Sequence, residues 1–443
     1  MRRIRQVILS ACLLLLCSAM CKMPGATAEA KKLTIHIKNA ETDPKVMWEK
    51  VKGATGYEIY RKMPSERAFK KVATVKGSRY VDYQWEPNYV MDAKGIWYKV
   101  RFYKLRNGKR SYSSFSAKKH WNLRRINTEK SLKSYLKKAV KNKKKKRLCF
   151  LTGMNLTTEM ASKAYKDAFL SMGYLGTIKS MKSAYYGIYK VVNISIDRTD
   201  LVKVKIAKSS KDFYKKAFRL MKSNDYRTRI YSTKVNYRKL FEAVCYHHPE
   251  YLNGKEPVIS RDEKSYWFEP YANYTKKRIK TENAQVEKEA KQIVAAIIKP
   301  GMSTRQKLLA IHNYLVVTTE YDSEAQATRV RSSNPAHNAY GCLILHKCVC
   351  DGYAGAFNLL ASYAKIPSIS VAANGHAWNY VKIDGRYRYV DVTWDDPVPD
   401  QGKVVTSTRY FDVSKAVMEI AHGTWNTTYY SKTYLGYMSE LIN

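Results

Sequence analysis

The stretch ANGHAWNYVKIDGRYRYVDVTWDDP, residues 373–397, alternates apolar and polar side chains on both sides of Asp384-Gly385. Alternation with period two marks half-buried strands, and Asp-Gly is a favoured two-residue hairpin loop. The reading is an antiparallel hairpin in which Trp378 faces Asp391 and His376 faces Thr393. His376 and Asp391 are then diagonal neighbours on one face, ~7–8 Å apart at the backbone. Side chains pointing the same way close that gap to a hydrogen bond. A carboxylate that accepts from one imidazole nitrogen fixes the ring and leaves the other nitrogen for a second partner.

A partner stands upstream, in HKCVCDGYAGAFNLL, residues 346–360. Tyr353, Ala356, Phe357, Leu360 and Ala364 recur at helical spacing, so Cys350 sits at a helix start. Backbone N–H groups and the helix dipole there favour a thiolate. Cys348 lies two residues further out, gains less from that field and reads as a buried or shielding neighbour. A cysteine at a helix start, taken alone, reads equally as simple packing. The helix has an apolar stripe with which to pack on the hairpin, and that packing would bring Cys350 to His376.

These segments, with YGCLILHKCVCDGYAGAFNLLASYAKIPS (340–368), YFDVS (410–414) and HGTW (422–425), resemble the transglutaminase-like, papain-type superfamily, nearest its exported bacterial members. The family's cysteine in VC-x-GYA, histidine in HAWN and aspartate in VD-x-TWDDP match Cys350, His376 and Asp391 in order. AIHNYL and FEAVCYHHPEY look familiar from the same group, although Asn313 stands where several members carry an acid. The resemblance implies an α+β core over residues 285–443, a helix packed on an antiparallel sheet. It implies a Cys-His-Asp triad that needs no cofactor and no metal and acts on protein or peptide amides. Water as acceptor gives a peptidase or amidase, and an amine gives cross-linking. The oxyanion would be held by the nucleophile's own N–H and one upstream donor, for which Tyr340 and His346 are candidates. Trp378 would shield the histidine, Asp395 and Asp396 would serve the turn, and His422 would be a structural partner near the closing strand.

The chain opens with a basic MRRIRQ, an apolar run to Met20 and small residues to Ala30, read as a signal peptide over residues 1–28. The run is shorter than the ~20 residues of a comfortable membrane span, and no later segment is apolar enough to be one. Export to the cell surface or medium is the expectation. Three of the eight cysteines fall in the signal, and Cys149, Cys245, Cys342, Cys348 and Cys350 remain. An odd, sparse set is no disulfide framework. Zinc held by Cys342, Cys348, Cys350 and a histidine is disfavoured, since structural pairs are spaced by two to four residues and Cys348 and Cys350 by one.

Residues 33–121 carry short alternating strands (LTIHI, KVMWEKV, GYEIYRK, FKKVATV, IWYKVRFYK, KRSYSSFS), the pattern of a β-sandwich. They resemble a fibronectin type III domain, with Trp48, Tyr57, Ile59, Tyr98 and Val100 as core. Residues 128–258 read as a basic, mixed α/β region with no motif assignable to chemistry. There Cys149 and Cys245 read as buried thiols, and a metal site shared by the adjacent His247 and His248 is disfavoured because adjacent side chains diverge. His312, on a later helix, reads as a hydrogen-bonded structural residue. The fold class is thus multidomain: sandwich, basic α/β middle and papain/transglutaminase-like core.

The net charge is +43, yet residues from Gly301 onward hold 13 basic and 12 acidic side chains, so almost all the surplus precedes them. Such a surplus on an exported chain points to an anionic surface such as cell-wall polymer, with nucleic acid the weaker reading. A non-catalytic wall-binding or adhesive protein built on the same folds is the alternative to an enzyme.

Overall fold

A computed structural model describes residues 32–85, 95–142, 147–176, 178–186, 189–196, 201–328, 334–396 and 407–442. The signal-peptide reading, and Pro397 of the opening stretch, lie outside the described residues. The chain divides into two compact units, residues 1–169 with 176–200, and residues 170–175 with 201–443.

In the first unit, Ile35–Ala40, Asp43–Trp48 and Arg79–Val81 form one antiparallel sheet. Lys70–Val75, Gly56–Lys62, Ile96–Arg106 and Lys109–Tyr112 form a second, with Lys119–Trp121 paired to the long strand. Trp48, Tyr57, Ile59, Tyr98 and Val100 are buried together between them, as the period-two pattern requires. Buried Asp82 is fully engaged. Arg61 Nη1 donates to both its oxygens at 2.9 and 2.8 Å, and the Tyr98 hydroxyl donates at 2.7 Å. The unit continues into a sheet of Ile178–Tyr186, Tyr189–Ile196, Arg147–Thr152 and Arg124–Arg125. The lysine-rich helix Glu129–Lys141 starts at a Thr128 capping box and buries Leu132 and Leu136.

The residues read as the middle region divide between the units. Val202–Ile206 pairs in parallel with Thr228–Tyr231, and this sheet runs on through Ser265–Pro270 to Lys255–Ile259 in the second unit. One continuous core then links helices Ser210–Lys222, Arg238–His247, Lys276–Ile297 and Thr304–Thr318 to the cysteine helix, Cys350–Tyr363, and to the last sheet. That sheet orders Ser368–Ala373, His376–Ile383, Arg386–Val390 and Phe411–Val413, all antiparallel. Its central hairpin turns at Asp384 and Gly385 with φ of 45° and 84°, as a type I′ loop requires, and pairs Ile383 with Arg386. The ladder stops at Asn379 and Val390, one pair short of the expected Trp378–Asp391 pair and three short of His376–Thr393. Asp391 N–H donates to the Tyr410 carbonyl at 3.0 Å, on the side away from Trp378.

Candidate active site

The cysteine helix begins at Cys350 behind extended Val349, which offers no side-chain cap. Gly352 lets this first turn press against its surroundings. A Cβ there would lie 2.5 Å from the Cys348 Cβ and 2.6 Å from the Ala336 carbonyl oxygen. Two features of the helix face the sheet. Asn358 donates to Ser370 Oγ at 2.8 Å, and its oxygen accepts from Ser368 Oγ at 2.6 Å and Asn379 Nδ2 at 2.9 Å. Cys350 itself packs with Ala354 and with Ala377 of the hairpin, and is 8% exposed.

This docking joins the three residues that the sequence singled out. His376 Nε2 lies 2.8 Å from Asp391 Oδ2, and Cys350 stands with the imidazole on the wall of one cleft, near enough to raise its pKa. Burial pulls the His376 pKa down, but the hydrogen bonds to Asp391 and Cys350 and their charges outweigh it and lift it to about 10. Asp391 is fully buried. Burial raises its carboxyl pKa, yet hydrogen bonds from His376 and His422 prevail and hold it below the usual value. Its other oxygen accepts the Trp394 N–H at 3.2 Å.

The surroundings differ in part from expectation. Trp378 is buried and stacks on His376 at 5.8 Å, and half-exposed Trp394 stacks at 5.4 Å. His422 reaches the Asp391 oxygen that His376 uses, at 2.7 Å. Asp395 accepts from His312 Nε2 at 3.1 Å, the Tyr410 N–H at 2.9 Å and Ser407 Oγ at 2.8 Å, so it ties a helix to the loop. Asp396 receives the Tyr353 hydroxyl, and burial raises its pKa to about 6.

Neither Tyr340 nor His346 reaches the Cys350 cleft. His346 is exposed at a left-handed turn (φ 55°), and Tyr340 packs against the core. The cleft is a cavity of about 670 Å³ lined instead by Tyr321, Ser323, Gln326, His337, Asp351 and Gly375, with Cys350 and His376. His337 Nδ1 meets Asp351 Oδ2 at 3.1 Å, and this pair also walls a more apolar cavity of about 300 Å³. Tyr321 arrives because Glu320–Tyr321 pairs in parallel with Lys347–Cys348. No local periodicity announces that pairing of two-residue strands.

All five described cysteines are free and buried. Cys348 lies beside Cys342, and burial holds its pKa well above the thiol range. Burial likewise lifts Cys149 to about 12 and Cys245 higher. Among the described residues, the ligand-capable atoms that converge belong to His376, Asp391 and His422, within 4.8 Å, and not to the cysteine trio. Both Nε2 atoms already meet one carboxylate oxygen, which makes this a hydrogen-bonded cluster. His247 and His248 are buried and share the Tyr214 hydroxyl, at 3.1 and 2.8 Å.

No protein-family model matches the chain. Over 136 residues it is 28% identical to Kyphoscoliosis peptidase of Mus musculus, which covers 27% of this chain and 19% of that protein. The Homo sapiens protein of the same name is 26% identical over 125 residues, 25% of this chain and 18% of its own. The chain thus spans about a fifth of the length of these relatives. Among solved structures, a crystal structure of a TGase aligns over 74% of this chain and 71% of its own, at 10% identity and TM-score 0.23. A Fn3-like protein from Clostridium thermocellum aligns over 19% of this chain and 81% of its own, at 21% identity and TM-score 0.14. No helix among the described residues is long and apolar enough to cross a membrane.

Proposed function

We propose that the second unit is a transglutaminase-like acyl-transfer enzyme, with Cys350 as nucleophile, His376 as proton carrier and Asp391 as its orienting carboxylate. The observation that carries this reading is the convergence of the three residues, with His376 bonded to Asp391 at 2.8 Å and sharing the wall of one open cleft with Cys350. The Cys350 sulfur attacks the carbonyl carbon of a peptide or side-chain amide. His376 then gives its proton to the departing nitrogen, the C–N bond breaks, and a thioester and a free amine result. In the second half, water or an amine adds to the thioester, His376 takes its proton, and the sulfur leaves. Among the cleft residues, Gln326 and His337 carry side chains able to donate to the oxyanion.

Similarity to a named peptidase and the family motifs around the three residues support this reading. So does the setting of Cys350, which neighbours the His376 imidazole on the cleft wall. The same reading extends to an exported protein held at the cell surface, its basic first 300 residues contacting anionic wall polymer. Iodoacetamide at neutral pH tests the nucleophile. Preferential alkylation of Cys350 and loss of turnover in Cys350→Ala are expected. Equal labelling of all cysteines, or turnover unaffected by that substitution, would leave the non-catalytic binding protein as the better account.

A further inference from the structure

His422 closes the helix Lys415–His422 and is buried, with a side chain 1% exposed. Its Nε2 lies 2.7 Å from Asp391 Oδ2, the oxygen that also takes His376 at 2.8 Å. Its Nδ1 lies 3.2 Å from the Met418 carbonyl oxygen. An ionised carboxylate and a carbonyl only accept. A neutral imidazole has one N–H, so it would leave one ring lone pair facing an oxygen lone pair. The charged ring, with two N–H groups, satisfies both.

Two further features favour that form. The Trp394 indole stacks on His422 at 3.9 Å and 22°, and Trp378 lies at 4.9 Å, where an aromatic face attracts a cation. The ring also sits at a helix C-terminus, the negative end of the dipole. The other titratable groups facing it are His376 at 5.4 Å and Tyr410 at 5.6 Å between ring centres. Glu419 of its own helix pairs with Lys415.

We propose that His422 is a positioning residue that acts in its charged form, as a second cation on Asp391, and thereby limits how tightly His376 holds its proton. The inference rests on the reading of Cys350 and His376 given above. With thiolate, imidazolium and carboxylate alone, the buried cluster carries one net negative charge. With charged His422 it carries none, and buried net charge is costly. A carboxylate shared between two imidazoles also grips His376 less, which leaves His376 able to release its proton to the departing amine.

The test is the pH dependence of Cys350 alkylation by iodoacetamide in the full chain, with and without His422→Gln. Glutamine keeps an N–H for Asp391 and removes the charge. Losing a nearby cation and freeing the carboxylate for His376 act in the same direction, so the alkaline inflection should move up by about one pH unit. A merely structural role loosens Asp391 and moves it down. A downward shift or none overturns the proposal. In the unsubstituted protein, the ring nitrogens of His422, assigned by NMR through contacts with Trp394, should both be protonated at neutral pH. A neutral ring overturns the proposal even if the glutamine variant fails to fold. A Cys350 no more reactive than Cys149 overturns the functional reading, and this inference with it.

Discussion

Replacing Asp391 by asparagine removes the charge that holds His376 while preserving shape. In the native protein the His376 pKa is raised to about 10, against an ordinary value near ~6.5. A raised pKa means that folding favours the protonated ring. That stabilisation is fully present below pH ~6.5 and is lost as pH rises through about 10. Asp391 and Cys350 lift the pKa against the opposing effect of burial. The substitution takes away the carboxylate's part, and the alkaline inflection of Cys350 alkylation should therefore fall by roughly 1–3 pH units. At ~1.4 kcal/mol per unit, the folded protein loses on the order of 1–4 kcal/mol near neutral pH. Turnover should fall further, by ~10²–10⁴, because a neutral oxygen no longer fixes the tautomer that presents the basic nitrogen to sulfur. The assay is intact-mass alkylation with iodoacetamide from mildly acidic to strongly alkaline pH, beside thermal unfolding at neutral pH. An inflection that stays in place would show that Asp391 does not set the state of His376, however short their hydrogen bond.

Cys348→Ala should leave Cys350 alkylation near wild type while costing ~1–2 kcal/mol, since it opens a small cavity beside Cys342; thermal melts and mass spectrometry check both. Gly352→Ala should slow Cys350 alkylation at least ~10-fold, because its Cβ would collide with Cys348 and the Ala336 carbonyl and displace the helix start. Asp82→Asn breaks a buried Arg61 pair and should destabilise the first unit by ~3–5 kcal/mol, seen as a separate melting step, without altering Cys350 reactivity. Leu360→Ala, at a fully buried position of the cysteine helix, should cost ~2–5 kcal/mol in the second unit.

The parts of this protein that were legible in its sequence are those governed by local rules. The Asp384-Gly385 loop demands positive φ twice and thereby sets the register of the hairpin, so the nearness of His376 and Asp391 follows from counting residues. The helical spacing behind Cys350 supplies the start of its helix. Trp48, Tyr57 and Tyr98 declare the sandwich by alternation. The cleft wall obeys no such rule. Tyr321, Gln326 and His337 stand 29, 24 and 13 positions before Cys350, as their numbering gives, and reach it through a two-residue parallel pairing and a short capped turn. Tyr340 and His346 were attractive as donors because they are near Cys350 in sequence, yet a left-handed turn at His346 carries that residue out to solvent.

His422 marks the same boundary from the other side. From the sequence it was a histidine near a closing strand, and nothing in HGTW distinguishes a surface ring from one that shares a buried carboxylate. What settles its environment is the helix Lys415–His422, whose last residue brings its ring to Asp391. Asp391 donates its N–H to the Tyr410 carbonyl, and one of its carboxylate oxygens meets both imidazoles, at 2.8 and 2.7 Å. The shared carboxylate is therefore visible only in three dimensions: one aspartate serves two histidines that stand 15 positions before it and 31 after it.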